Sequence, residues 1–239
     1  MRSTVIIPTL DRVYMNVVFN TTHWSIVLAA KDGGTAIRVL CEIYYLPVLN
    51  YLQRHAQPGE KNVYGGRDAA DLTHDFFAKV LQGKVFHQVQ REGALFRVYL
   101  LGALKHFLAD IRQKELAAKR GGDFKQTAFD DEMLESNEFD DAIFDRDWAQ
   151  TIVRQAIESV EDSPQARFLI PWITKQLDAE NRNRLTKELG ISETAIKVAL
   201  HRLRKKFGEN IRIQIAHTVA EESEIDAELN YLLRVLRSK

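Results

Sequence analysis

The sequence contains almost no cysteine and no long apolar run. Cys41 is the single cysteine among 239 residues, so neither an intrachain disulfide nor a cysteine-rich metal site can form. No stretch reaches the roughly 20 consecutive apolar residues that a membrane-spanning helix needs. The N-terminal residues also lack the apolar run and small-residue cleavage site of a signal peptide. These absences predict a cytoplasmic protein without membrane insertion.

Familiar catalytic motifs are missing as well. The sequence has no GxxxxGK[ST], no HExxH and no GxSxG. Asp71 and Asp75 are one helical turn apart and flank His74, but no further ligand converges on them. An acidic protein-binding surface is therefore favoured over metal or acid–base chemistry. We predict a protein that is not an enzyme, has no metal site and needs no cofactor.

The formal net charge of the chain is zero, but the two signs of charge are unevenly distributed along the sequence. The chain has 33 basic and 33 acidic residues, yet residues 182–212 hold nine Lys/Arg against three Asp/Glu. Residues 123–147 hold ten acids against Lys125 and Arg146. Because local charge decides electrostatic partners, the neutral total does not argue against a nucleic-acid partner.

Apolar residues recur at helical spacing through most of the chain, which predicts an all-α fold. The Gly-Gly pair and the acidic stretch after it separate two groups of helices, so we predict two helical domains joined by an acidic linker. The predicted parts are an N-terminal extension (1–22), a first domain (23–122), the acidic linker (123–147), a second domain with a helix-turn-helix (148–220) and a C-terminal helical extension (221–239).

The helix-turn-helix is predicted from RNRLTKELG followed by ISETAIKVALHRLRKKF. Leu185 and Leu189 face inward, Gly190 ends the first helix in the αL conformation, and Ser192 caps the second. The side of the second helix opposite its apolar stripe carries Thr194, Lys197, Val198, His201 and Lys205, flanked by Arg202, Arg204 and Lys206. This pattern fits a major groove with phosphate contacts on both edges. The alternative is a solvated face in a plain helical bundle.

A second basic edge is predicted on the helix that begins near Leu95. Arg97, Lys105 and Arg112 lie within about a quarter turn of one another and can follow a phosphate backbone. Phe96, Tyr99 and His106 can stack on bases if they are exposed. Aromatic side chains of so apolar a helix are more often buried, which is the alternative.

Three segments in this order, DAADLTHDFFAKVL, LFRVYLLGALKHFLADIRQKE and LGISETAIKVALHRLRKKF, resemble those of the bacterial extracytoplasmic-function (ECF) RNA polymerase sigma factors. The similarity extends from about Trp24 to about Leu236. It implies a transcription initiation factor that binds core RNA polymerase and directs it to promoters through minus-10 and minus-35 elements. The alternative is a stand-alone helix-turn-helix regulator, which would bind duplex DNA tightly without polymerase.

The resemblance also implies which residues serve each partner. Polymerase contacts carry over to Asp71, Leu72, Asp75 and Phe77, with His74 where the family pattern usually has glutamine. The minus-10 contacts fall within residues 91–120, where His106 replaces a common asparagine. The minus-35 contacts carry over to Thr194, Lys197, Val198, His201, Arg202 and Lys205.

Two features of the resemblance leave alternatives open. The linker acids Asp130, Asp131, Glu132, Glu135, Glu138, Asp140 and Asp141 either imitate RNA in a basic polymerase channel or belong to a solvated tether. The family is commonly held by an anti-sigma factor, which is a further expected partner. The helices from Glu221 onward are the alternative source of such restraint.

Overall fold

The computed structural model describes six stretches of the chain, residues 34–55, 67–81, 95–119, 138–161, 164–219 and 221–238. All regular elements within them are helical, which confirms the all-α prediction. The α-helices are α1 (Gly34–His55), α2 (Ala69–Leu81), α3 (Phe96–Lys119), α4 (Glu138–Glu158), α5 (Pro164–Leu169), α6 (Ala179–Leu189), α7 (Glu193–Ala216) and α8 (Ile225–Arg237). Two 3₁₀ turns, Ile170–Trp172 and Glu222–Glu224, precede α6 and α8. The predicted extension 1–22 lies outside the described residues.

The break between α6 and α7 follows from local chemistry. Gly190 has φ 65°, a left-handed conformation that is costly for a residue with a Cβ, and its N–H donates to the Thr186 carbonyl at 3.0 Å. The Ser192 side chain accepts a hydrogen bond from the Ala195 N–H at 3.1 Å and so caps α7. Both residues act as the sequence predicts, and they hold two helices at a short turn.

A first apolar core joins helices from distant parts of the sequence. It is built by α1, α2, α3 and α4 together with the C-terminal half of α7 and with α8. Its fully buried members include Tyr44, Leu52, Leu72, Phe76, Leu100, Leu104, Phe144, Trp148, Ile152, Ile215 and Leu232. The predicted C-terminal extension is therefore part of this core and not a separate segment.

Helix α4 corrects the predicted extent of the acidic linker. It begins at Glu138, inside the predicted linker 123–147, and Phe144 is completely buried like Trp148 one turn later. Phe144, Trp148 and Ile152 recur every four residues on the buried side, while the acids between them hide that spacing in the sequence. The linker prediction is too long at its C-terminal end, and residues 123–137 lie outside the described residues.

A second, smaller core lies beneath the α6–α7 turn. It is formed by residues of α5, α6 and the N-terminal half of α7 and by two residues of the connecting segments, namely Val160, Ala166, Leu169, Leu177, Leu185, Ile196, Leu200 and Leu203. Phe207, midway along α7, packs against both cores. The single 24-residue helix α7 thus connects the two cores.

Candidate functional site

The outward face of α7 gathers one predicted set of DNA contacts. Its inward side is taken up by the buried Ile196, Leu200 and Leu203. The six residues that the resemblance assigns to the minus-35 element are all exposed, namely Thr194, Lys197, Val198, His201, Arg202 and Lys205. The side chain of Lys205 is 72% exposed and Val198 is 44% exposed. A continuous surface of cations, one hydroxyl and one apolar group therefore faces solvent.

Acidic neighbours hold part of this surface in place. Glu193 Oε1 lies 3.0 Å from Lys197 Nζ and 2.9 Å from Arg182 Nε, so it links α6 to α7. The hydrogen bond and charge of Lys197 lower the pKa of Glu193. Ion pairs as exposed as these contribute little free energy, so a phosphate can replace the carboxylate at small cost. Lys197 is therefore available to DNA.

Arg204 has a different setting from its neighbours on α7. The sequence places it on the edge of the outward face with Arg202 and Lys206. In the structure its guanidinium donates to the backbone carbonyls of Trp172, Ile173 and Lys175. Arg204 is thus engaged with the protein itself, which the charge pattern of the sequence does not reveal.

The basic edge predicted on α3 is divided between core and surface. Arg97 is only 5% exposed, and its Nε lies 2.8 Å from Glu228 Oε1 of α8. Its Nη1 lies 3.2 Å from Asp145 Oδ1 of α4, and its Cζ is 3.9 Å from the centroid of the Tyr231 ring. Arg97 is therefore not on the surface, because it lies in the first turn of α3 on the buried side of that helix.

Two carboxylates share the Arg97 cation, the buried Glu228 and the partly buried Asp145. Burial raises the pKa of Glu228, more than the hydrogen bond and charge of Arg97 lower it. Burial also lowers the pKa of Arg97, but the hydrogen bond of Glu228 and the charge of Asp145 outweigh this and raise it. Tyr231 donates to Asp145 Oδ2. The group is a structural centre that ties α3, α4 and α8 together.

Sequence reasoning missed this centre, although a signal for it exists. Arg97 is followed by Leu100, Leu101 and Leu104 at helical spacing, which puts the arginine on an apolar face. Glu228 likewise sits three residues after Ile225 and four before Leu232, both of them buried. A charged residue on an apolar helix face indicates a buried ion pair whose partner has to be found elsewhere in the chain.

Lys105 and Arg112 lie closer to the surface than Arg97. Lys105 pairs with Asp141 of α4, with side-chain exposures of 12% and 31%, and Arg112 is half-buried. Asp140 and Asp147 of α4 pair with His55 at 3.5 Å and Arg54 at 3.2 Å. Two of the acids considered as RNA mimics, Asp140 and Asp141, thus have partners within the chain.

The aromatic residues of α3 divide in the same way. Phe96 is 2% and Tyr99 is 5% exposed, and the Phe96 ring meets Tyr44 edge-on at 5.1 Å between centroids. Both belong to the buried side of α3, as the core alternative expects. His106 is exposed. Base stacking by Phe96 or Tyr99 has no support in this conformation.

Helix α2 separates its predicted polymerase contacts into two faces. Asp71 and Asp75 are exposed, and Asp75 Oδ2 lies 3.1 Å from Arg67 Nη1. Leu72 is completely buried, and the Phe77 ring stacks on Tyr45 at 6.2 Å between centroids. The carboxylates are on the surface, whereas the two apolar residues belong to the core.

The described residues contain no group of three or more potential metal ligands. No helix among residues 34–55, 67–81, 95–119, 138–161, 164–219 and 221–238 is long and apolar enough to span a membrane.

An exposed basic helix that follows a capped turn is typical of DNA-binding proteins. The comparison with protein families is more specific, because residues 25–213 match the ECF sigma factor family. The chain belongs to that family. It is a transcription initiation factor that directs RNA polymerase to promoters, and its partners are RNA polymerase and promoter DNA. Members of the family are regulatory proteins and not enzymes. Neither a curated protein nor a solved structure matches the chain.

Proposed function

We propose that this sigma factor uses three surfaces for its partners. The carboxylates of α2 bind core polymerase, the Lys105–Arg112 edge of α3 binds the minus-10 strand, and the outward face of α7 reads the minus-35 duplex. One observation carries the proposal: six residues of α7 form a single exposed surface above a fully buried apolar stripe. A helix of this kind fits the major groove of B-DNA.

Base contacts and phosphate contacts are divided along α7. Lys197 can donate to guanine acceptors, and the methyl groups of Val198 can meet the methyl group of thymine. Arg202, on the edge of this face, and Lys205, near its C-terminal end, supply cations for the phosphates. The exposure of all four side chains supports these roles.

On α3, the proposed contact begins at Lys105 and continues to Arg112. Arg97 supports this edge from within, through its bonds to Asp145 and Glu228. Melting a promoter costs a few kcal/mol of pairing and stacking per base, which strand contacts have to offset. Because Lys105 is paired with Asp141, strand binding there requires the carboxylate to give way.

On α2, Asp71 and Asp75 make the proposed contact with polymerase. Leu72 and Phe77 contribute from the core by fixing the rotation of the helix, since both side chains are buried. The cap of α2 also supports this role. Asp68 Oδ1 accepts a hydrogen bond from the Asp71 N–H at 2.8 Å, and the Asp71 carboxylate itself stays exposed on the surface.

Binding to core RNA polymerase tests the proposal. We expect saturable binding by the wild-type chain and a loss of about tenfold or more in Asp71→Lys/Asp75→Lys, because two favourable charges become repulsive. The matched control is Glu158→Lys/Glu161→Lys, the same charge change on exposed residues at the end of α4. Equal binding by the two variants contradicts the polymerase face. No binding by folded wild type favours a stand-alone DNA regulator.

We also propose that the protein acts in the cytoplasm and that an anti-sigma factor is a further partner. The support is the family itself, whose members are commonly restrained in this way. We expect a host protein that lowers transcription by the holoenzyme and is displaced by excess core polymerase. If no host fraction lowers transcription, the sigma factor is restrained by its own chain and not by an anti-sigma factor.

A further inference from the structure

The side chain of Arg204 joins α7 to a segment about thirty residues earlier in the chain. Its Nη2 donates to the carbonyls of Trp172 at 2.9 Å and Lys175 at 2.7 Å, and its Nε donates to the carbonyl of Ile173 at 3.0 Å. All three acceptors belong to the backbone that leaves the first 3₁₀ turn and leads to α6.

Arg204 supplies these carbonyls with a donor from outside their own segment. The 3₁₀ turn ends at Trp172, and no regular element follows until α6 begins at Ala179. Carbonyl groups at the end of a helical turn lack partners within the turn. A guanidinium offers several N–H groups in a rigid plane, so one arginine can satisfy several carbonyls at once, which the ammonium of lysine cannot do in the same geometry.

The position of Arg204 makes this contact relevant to DNA reading. It lies next to Lys205 of the outward face and one residue after the buried Leu203. The segment that it holds carries Leu177, which is part of the second core, and Asp178, which caps α6. The hydrogen bonds of Arg204 thus tie α7 to the segment that leads into α6.

We propose that Arg204 is a positioning residue for minus-35 recognition, which orients α7 through the Trp172–Lys175 backbone and does not serve as a phosphate contact. The inference rests on the proposed role of α7 in reading the minus-35 duplex. It assigns to Arg204 a function that differs from that of its neighbour Arg202, although the two have the same charge and lie on the same helix.

The test compares Arg204→Lys and Arg204→Gln with Arg202→Lys and Arg202→Gln. Each full-length variant is loaded on core polymerase and tested with a duplex that the wild-type holoenzyme selects from a pool randomised over the minus-35 region. Affinity is measured over a range of salt concentrations, for this duplex and for one with a single base pair changed. Circular dichroism and urea unfolding show that the variants are folded under the assay conditions.

We expect both Arg204 variants to lose affinity for the selected duplex by about tenfold, the size of one lost base contact, and to discriminate less against the changed base pair. The dependence of affinity on salt should stay at the wild-type slope, because no phosphate contact is lost. Arg202→Gln should instead reduce that slope by about 0.9, the value for one phosphate, and Arg202→Lys should restore it.

The opposite pattern overturns the inference. If Arg204→Lys binds as wild type does and Arg204→Gln reduces the salt slope, Arg204 is a phosphate contact. If both variants keep the wild-type affinity and discrimination, the contact has no part in recognition. If Arg204→Gln does not fold, Arg204→Lys alone distinguishes a positioning role from a phosphate contact, because lysine keeps the charge and lacks the planar guanidinium. A wild-type holoenzyme that selects no duplex overturns the minus-35 role of α7 itself.

Discussion

At the scale of single residues, Arg97 shows what a buried cation requires. Removing a guanidinium from water is unfavourable unless carboxylates and hydrogen bonds replace the solvent. Asp145 and Glu228 supply the charges, and the ring of Tyr231 covers the guanidinium face at 3.9 Å. Because these partners come from α4 and α8, one side chain specifies how three helices meet.

Replacing Arg97 with methionine should destabilise the protein strongly. The change leaves the buried Glu228 and the partly buried Asp145 without a counter-charge, and removing one partner of a buried ion pair costs about 3–5 kcal/mol. The free energy of unfolding from urea titration measures the effect. Arg154→Met is the matched control, because the Arg154 side chain is 49% exposed and its carboxylate partner Glu158 is 3.9 Å away. The control should lose about 0.5 kcal/mol or less. Similar losses in both variants would contradict a structural role for Arg97.

Acid should destabilise the protein through His217. Burial lowers the pKa of His217. The unfolded chain, with an ordinary histidine pKa of about 6.5, therefore takes up this proton more readily than the folded state. Stability falls as pH drops below that value, since protonation favours the unfolded state. We expect His217→Gln to lose less stability than wild type between pH 7.5 and 5.5 in urea titrations. Equal losses would show that another group controls the dependence.

At the scale of elements, α4 places a row of carboxylates against basic side chains of α1 and α3. Asp140, Asp141, Asp145 and Asp147 each face a different basic residue. Three of these pairs are partly exposed and contribute little individually. The Asp141–Lys105 pair matters for function because it occupies the cation at which the proposed DNA edge begins.

Asp141→Asn should strengthen binding of the minus-10 strand. Releasing Lys105 from a partly exposed ion pair should raise the affinity of the holoenzyme for single-stranded promoter DNA by about two- to fivefold. Glu158→Gln is the control, because it removes the same charge from the same helix beside the exposed Arg154. Fluorescence anisotropy with a labelled non-template strand measures both.

A third variant tests separately whether Asp141 competes with DNA and whether Lys105 contacts the strand. Asp141→Asn/Lys105→Met should lose the gain if Lys105 contacts the strand. If Asp141→Asn and Glu158→Gln behave alike, the carboxylate does not compete with DNA. If Lys105→Met has no effect in either background, the strand binds elsewhere.

The elements differ in how far the sequence predicts them. The α6–α7 turn is predictable because Gly190, Ser192 and the apolar spacing are local signals, and each acts at its own position. The start of α4 is not, because its acids continue the acidic stretch before it, so composition marks no boundary at Glu138. The exposed set on α7 follows from helical periodicity. Local spacing puts Arg97 on an apolar helix face, but no local pattern indicates that its partner is Glu228, 131 residues away.

At the scale of the whole molecule, α7 is both a reading surface and a connection. Twenty-four residues make a helix about 36 Å long, and its two ends belong to different cores. The family match ends at residue 213, before α8 begins, yet α8 supplies Ile225 and Leu232 to the first core and Glu228 to the ion pair with Arg97. A helix beyond the matched range thus completes the packing of helices within it and holds the end of α7.

Protein-dependent transcription from genomic DNA of the host tests the central claim most directly. Core polymerase is supplied with the purified chain, and the 5′ ends of the new transcripts are mapped. The account predicts starts that appear only with the chain and share two upstream elements at a constant spacing. Lys197→Glu should alter use of the upstream element alone. No chain-dependent starts, together with tight and salt-sensitive duplex binding by the chain on its own, would contradict the account.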